Sequence, residues 1–211
     1  MDKRIILAFD TVIAKGTVSL WREKKEIAVV NGDTAKSASE TLLSSISDTL
    51  SNSSVKTDEI TDIALTNGPG SYTGIRIGIA TALGLAAPSK CKIHQISTLE
   101  LLAKSVTADE VVTTGVWAGR NEIAYQDFPN SDVNIGVLSI DSFFTKYENK
   151  QNKIILDEKS RQVIEDRYPM FKIMGLNCNS ASLIGKIISN NPAQYHNNIP
   201  KPSYARSLFD G

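Results

Sequence analysis

The sequence predicts an α/β fold of mixed sheets flanked by helices, and three features predict it. The chain opens with three strand-like segments in close succession. Its apolar spacing then changes from an extended to a helical period. A strand, an apolar helix and a further strand follow, the alternation that lays helices on the face of a sheet. At 211 residues the chain suits one sizeable domain or two small lobes.

The first strand is the apolar run 5–9, which ends in Asp10-Thr11 and passes into a turn. Strands over 17–21 and 26–30 complete a meander, with Gly16 and the charged run Arg22-Glu23-Lys24-Lys25 as its turns. Ala38, Leu42, Leu43, Ile46 and Leu50 then recur at helical spacing, capped by Ser37 or Ser39, and the helix frays in the polar run 51–54. Residues 60–65 form the next strand and feed the most distinctive stretch, TNGPGSYTGIRIGIA over 66–80.

From 73 to 87 the chain is apolar on nearly every face, as a buried helix is, and Pro88 is expected to stop it. Gly74, Gly78 and Gly84 each cost this helix about 1 kcal/mol relative to Ala. Gly74, Gly78 and Thr81 lie at i, i+4 and i+7, a smooth strip where another backbone can come close. In a membrane such a strip signals dimerisation, but Arg76 and the short length predict close packing inside a soluble protein.

Residues 93–96 are strand-like and 99–104 begin a helix, which closes a first unit. The expected lobes are therefore 1–104 and 105–211. The second half repeats the mixture, with strands over 111–116, 122–128, 153–156 and 172–174 and helices over 140–147 and 180–188. The repeat is one of architecture, not of letters. Residues 200–211 form an extended tail expected to pack back on the first lobe.

Charge narrows the function. Lys plus Arg and Asp plus Glu both total 23, so no global field draws the protein to nucleic acid or membrane. A protein that grips RNA alone shows a basic face, so any RNA is expected to be held by something else. Cys91 and Cys178 are far apart and have no metal spacing, which suits a reducing cytoplasm. The N-terminal apolar run is too short for a signal peptide, and no run of about 18 apolar residues exists to span a membrane.

Two turns are candidates for chemistry. Residues 67–74, with Gly70 and Ser71 at their centre, join a strand to a helix N-terminus, where backbone N–H groups meet anions. The glycine spacing fits neither a Walker loop, which also needs a Lys, nor GxGxxG. Asp10-Thr11 resembles the acidic turn that faces nucleotide and metal in actin-like ATPases. The equivalent place in the second half, Val116-Trp117-Ala118-Gly119-Arg120, has no carboxylate. Asp10 is therefore expected to be a turn or cap residue, and Asp10, Thr11, Gly70 and Ser71 at most a vestigial nucleotide turn. His94 and His196 stand alone in the sequence, and no Ser or Cys has a paired base.

Taken together, ILAFDT, SETLLSSI and TNGPGSYTGIRIGIATALGLA resemble the TsaB/YeaZ family. Residues 68–86 follow its consensus GPGSFTGLRIGLATAKGLA nearly position for position, and Pro202-Ser203-Tyr204-Ala205-Arg206 is similar to its terminal P-x-Y-x-R. The resemblance is close over the first half and loose beyond it. It implies an actin-like (ASKHA, ribonuclease H-like) two-lobed fold and no catalysis or metal of this chain's own. The implied partners are the catalytic subunit TsaD and the ATPase TsaE, with ATP and a metal ion belonging to them. The assembly transfers threonylcarbamoyl to N6 of the adenosine next to the anticodon in ANN-decoding tRNAs, which this chain meets only through the complex.

The resemblance further implies pairing through two helices, at about 37–50 and 72–86. It carries the interface onto Ala38, Ser39, Leu42, Leu43, Ile46, Leu50, Tyr72, Ile75, Arg76, Gly78, Ile79 and Ala82, and it allows a homodimer through the same face. The chain departs from the family at Ala38, where His is usual, at Trp117-Ala118-Gly119, in place of Asp-Ala-Arg, and at Leu156-Asp157-Glu158, in place of Gly-Asp-Gly. Two rival readings are a stand-alone actin-like ATPase or sugar-kinase relative, and a peptidase. The first needs a second acidic turn and the second a zinc pair or activated nucleophile.

Overall fold

The computed structural model describes residues 4–14, 16–33, 36–106, 111–129, 135–150, 152–165, 167–197 and 199–205. The first half builds β1 (Ile5–Asp10), β2 (Thr17–Arg22), β3 (Lys25–Val30), α1 (Ala38–Ser53), β4 (Asp62–Thr66), α2 (Tyr72–Ser89), β5 (Lys92–Ile96) and α3 (Thr98–Ala103). The second half builds β6 (Val112–Gly119), β7 (Glu122–Phe128), β8 (Gly136–Ser139), α4 (Ile140–Tyr147), β9 (Lys153–Leu156), α5 (Glu158–Ile164), β10 (Ile173–Met174), α6 (Ser180–Asn190) and α7 (Pro192–Tyr195).

The strands form two five-stranded sheets, ordered β3-β2-β1-β4-β5 and β10-β9-β6-β7-β8. Each has an antiparallel meander whose first strand also pairs in parallel with the next strand of its half. One topology is thus used twice. β1 has every residue buried because it is paired on both edges and covered on both faces, which is why it is nearly all apolar.

One core lies between the first sheet and helices α1 and α2, holding Leu7, Phe9, Leu20, Leu42, Ile46, Ile63, Leu65 and Ala82. On the opposite face, Ile6, Ala8, Trp21 and Ala64 are covered by Ile184 and Ile188 of α6 and Tyr195 of α7. Gly185 makes that contact possible, since a Cβ there would fall 2.1 Å from the Trp21 indole nitrogen. α3 crosses the other way, placing Leu99 and Leu102 against Val112, Val116 and Ile155 of the second sheet. Each sheet therefore borrows a helix from the other half of the chain. An aromatic core of Phe143, Phe144 and Tyr147, with Tyr168 and Phe171 at its side, fills the far face of the second sheet.

The N-cap of α1 is Ser37, not Ser39: the Glu40 carboxylate accepts from the Ser37 N–H at 2.8 Å, half of a capping box. Pro88 does not stop α2. It sits in the last turn, and the helix ends at Lys90, whose φ of 53° takes the chain into the left-handed region. The proline only leaves the Gly84 carbonyl without its donor at an exposed end. No described helix is long and apolar enough to cross a membrane.

After α7, Lys201 N–H donates to Gln95 Oε1 at 2.9 Å and Ser203 N–H to the Asn67 carbonyl at 2.7 Å. Residues 199–205 thus run along the first sheet to the Gly68-Pro69-Gly70 turn. Arg206, with the rest of the tail 206–211, lies outside the described residues.

Candidate functional site

A cleft of about 580 Å³ opens between the two sheets. Its walls are the turn after β1, the first turns of α1 and α2, the end of β6 at Trp117, and Asp157 and Lys159 at the start of α5.

Asp10, which ends β1, is fully buried and is not among the residues that line this cleft. Its Oδ1 accepts from the Val12 N–H at 2.9 Å, the Ile13 N–H at 3.4 Å and the Thr66 hydroxyl at 2.8 Å. Its Oδ2 is sealed from solvent with no donor in bonding geometry among the described residues, the Ser180 hydroxyl nearby sharing a hydrogen bond with Thr17. Burial pushes the carboxyl above its usual pKa, and the surrounding donors, Val12 first, oppose that rise. Asp10 Oδ1 therefore ties the turn after β1 to Thr66 at the end of β4.

The turn at Gly70-Ser71 is locked by the same neighbourhood. Ser71 Oγ caps α2 by accepting from the Gly74 N–H at 3.1 Å, and the Thr11 hydroxyl donates to the Gly74 carbonyl at 2.8 Å. A Cβ on Gly74 would meet the Thr11 carbonyl oxygen at 2.0 Å, and one on Gly78 the Thr11 hydroxyl at 2.6 Å. The backbone that comes close to the glycine strip is thus this chain's own first turn.

The end of β6 carries no carboxylate, but Asp157, at the end of β9, reaches the cleft. Its Oδ1 accepts from the Trp117 N–H at 3.1 Å and from the N–H and hydroxyl of Ser160, so it caps α5. Burial raises its pKa against those donors. Lys159 lies over the Trp117 ring at 5.3 Å. Our reading of the sequence missed Asp157 as a cleft residue; an apolar strand ending in Asp with Ser three residues later was the available signal.

His94 and His196, isolated in sequence, meet in space with ring centroids 5.5 Å apart. His94 Nε2 bonds Asp62 Oδ1 at 2.6 Å and its Nδ1 the Pro192 carbonyl at 3.1 Å, while Arg4 holds both Asp62 oxygens at 3.0 Å. This cluster pins α7 to β4 and β5. Among the described residues no group of three His, Cys, Asp or Glu side chains is arranged to hold a metal.

The helix residues divide by burial. Ala38, Leu42, Ile46, Leu50, Ile75, Gly78 and Ala82 are buried, Ala38 at the wall of the cleft, and Ile79 is partly covered. Ser39, Leu43, Tyr72 and Arg76 face outward, with Leu43 66% exposed. Along α2, Tyr72, Arg76, Ala80, Leu83, Gly84 and Ala87 make a continuous exposed stripe. Leu83 is 45% exposed, and among the described residues a Cβ on Gly84 would meet nothing within 4 Å.

The doubled sheet topology and the cleft between its halves define an actin-like (ASKHA) two-lobed domain. A sequence model of the family described as TsaD, tRNA N6-adenosine threonylcarbamoyltransferase, matches residues 23–182. Two curated proteins described as tRNA threonylcarbamoyladenosine biosynthesis protein TsaB are similar. The one from Buchnera aphidicola of Schizaphis graminum is 36% identical over 47% of this chain and 47% of its own length. The one from Escherichia coli is 28% identical over 76% of this chain and 62% of its own. The chain thus spans about half to three fifths of the curated relatives it matches. A Pseudomonas aeruginosa crystal structure, described as similar to peptidase YeaZ, shares the fold at a TM-score of 0.74 and 19% identity, over 96% of this chain and all of that one. The chain belongs to this TsaD-type family, within which it is similar to proteins described as TsaB.

Proposed function

We propose that this chain is a non-catalytic subunit in the biosynthesis of threonylcarbamoyladenosine in tRNA, docking on the catalytic TsaD through the outward faces of α1 and α2. Gly84 carries the reading. A glycine in a helix interior costs about 1 kcal/mol, and Gly74 and Gly78 repay that inside the chain by admitting Thr11. A Cβ on Gly84 would meet nothing within 4 Å among the described residues. Its missing side chain is of use to a backbone that arrives from outside, across a stripe of small and apolar residues.

Asp10 supports the non-catalytic part, because its carboxylate is fully buried and its Oδ1 is engaged by Val12 and Thr66. The chain would act by population shift, making contacts that favour the active arrangement of TsaD. The ATPase TsaE completes the assembly, tRNA is met through it in the cytoplasm, and the same face serves a homodimer when TsaD is absent.

The test is threonylcarbamoylation of ANN-decoding tRNA by the cognate TsaD and TsaE, with and without this chain. Modification that requires the chain is expected. Full modification without it, or metal-dependent ATP turnover by the chain alone that Asp10→Asn abolishes, would overturn the reading in favour of an ATPase.

A further inference from the structure

We propose that Arg76 is the charged determinant of that docking, held ready by Tyr72 and by Tyr204 of the C-terminal segment to take a carboxylate on the facing helix of TsaD. The inference rests on the subunit reading above.

Arg76 is the sole charged residue in α2, and it stands in the exposed stripe. Its guanidinium carbon lies 4.0 Å from the centre of the Tyr72 ring, and its Nε donates to the Tyr204 hydroxyl at 3.4 Å. The two tyrosine rings touch, with centroids 5.1 Å apart. Stacking on an aromatic face fixes the guanidinium plane. Among the described residues no carboxylate acts on its charge, which Tyr204 and Tyr72 favour against desolvation, and both Nη groups are without a partner.

Tyr204 is itself fixed from behind. Asn67 Nδ2 donates to the Lys201 carbonyl at 3.0 Å, and the Ser203 N–H to the Asn67 carbonyl at 2.7 Å. The Ser203 carbonyl presses so close to Gly68 that a Cβ there would come within 2.2 Å of it. The C-terminal segment is therefore anchored to the Gly68-Pro69-Gly70 turn at the very residue before Tyr204.

The geometry specifies the partner. A planar guanidinium with both Nη groups open takes a carboxylate bidentately. An arginine already held in one pose loses less side-chain freedom on docking. Beyond Arg76 the stripe offers Ala80, Leu83, Gly84 and Ala87, which suits a closely packed apolar helix bearing one Asp or Glu near the N-terminal end of α2. A second copy of α2 has no carboxylate to give, although a second copy's α1 exposes Glu40 and Asp48. Self-association of the chain that R76A abolishes while TsaD binding stays unchanged would therefore overturn the assignment to TsaD.

The experiment is calorimetric titration of TsaD with the wild-type chain and with R76A, R76K, Y204A and R76A/Y204A, each first matched to wild type in thermal unfolding. R76A is expected to bind about 10- to 100-fold more weakly, with R76K restoring only part because an ammonium lacks the fork. Y204A is expected to weaken binding severalfold, and the double variant to be no weaker than R76A, since both act through one guanidinium. Binding of R76A within twofold of wild type, while Leu83→Asp abolishes it, overturns the role of Arg76 and leaves the subunit reading intact. Losses from R76A and Y204A that multiply overturn the link through the tail. No binding by the wild-type chain overturns both readings.

Discussion

Gly74, Gly78 and Gly84 recur along one helix, yet they answer to different neighbours. An alanine at Gly78 would collide with Thr11, so Gly78→Ala is expected to destabilise the isolated chain by about 1–3 kcal/mol. Gly84→Ala meets open space and is expected to stabilise it by up to about 1 kcal/mol. Urea unfolding of the two variants checks the contrast, and equal effects would refute it. The sequence displays the spacing of these glycines but not their uses, because Thr11 comes from 63 residues away. Asp10 makes the complementary case. Its folded pKa is raised, so the cost of burying its charge is absent below the unfolded value near 3.9 and complete above the folded one. Asparagine keeps the Oδ1 acceptor and removes the charge. Asp10→Asn should therefore be at least as stable as wild type at neutral pH, while Asp10→Ala strands its donors and loses about 1–3 kcal/mol. Denaturant titrations at neutral pH would show it.

At the level of elements, the Arg4–Asp62–His94 cluster ties β4, β5 and α7 together. Burial pushes the Asp62 carboxyl up, but bonds from His94, Arg4 and Thr61 outweigh it and hold the group well below the usual carboxylate range. A depressed folded pKa contributes stability that is present above the unfolded value near 3.9 and lost as pH falls below it. Wild type should thus lose stability more steeply below about pH 4 than Asp62→Asn, as read by thermal midpoints against pH. Parallel acid limbs would contradict this. β1 and β4 were legible in sequence because both faces of a central strand are apolar. α5 was not: only Ser160 and Ile164 of its seven residues are buried, too few to show a period. The meeting of His94 and His196 was hidden for another reason, since it depends on α6 returning the chain across the first sheet.

For the whole molecule, the exchange of α3 and α6 between sheets makes the two halves interdependent. A fragment of residues 1–104 would expose Ile6, Ala8, Trp21 and Ala64, which α6 and α7 cover in the full chain. Such a fragment is expected to lack a cooperative unfolding transition, and a sharp one would show that the first half folds alone. The two-lobed class could be argued from the meander, the alternation of elements and the family resemblance. Which helix faces are left outward could not, because α2 is apolar all round and only the fold decides which stripe its own sheet covers. That stripe is the centre of the functional account. The most direct test is light scattering behind size exclusion on mixtures with the cognate TsaD, comparing wild type with Leu83→Asp at matched thermal stability. A one-to-one complex that forms with wild type and is lost in the variant is the predicted result. Undiminished pairing by Leu83→Asp, or none by wild type, would contradict the account.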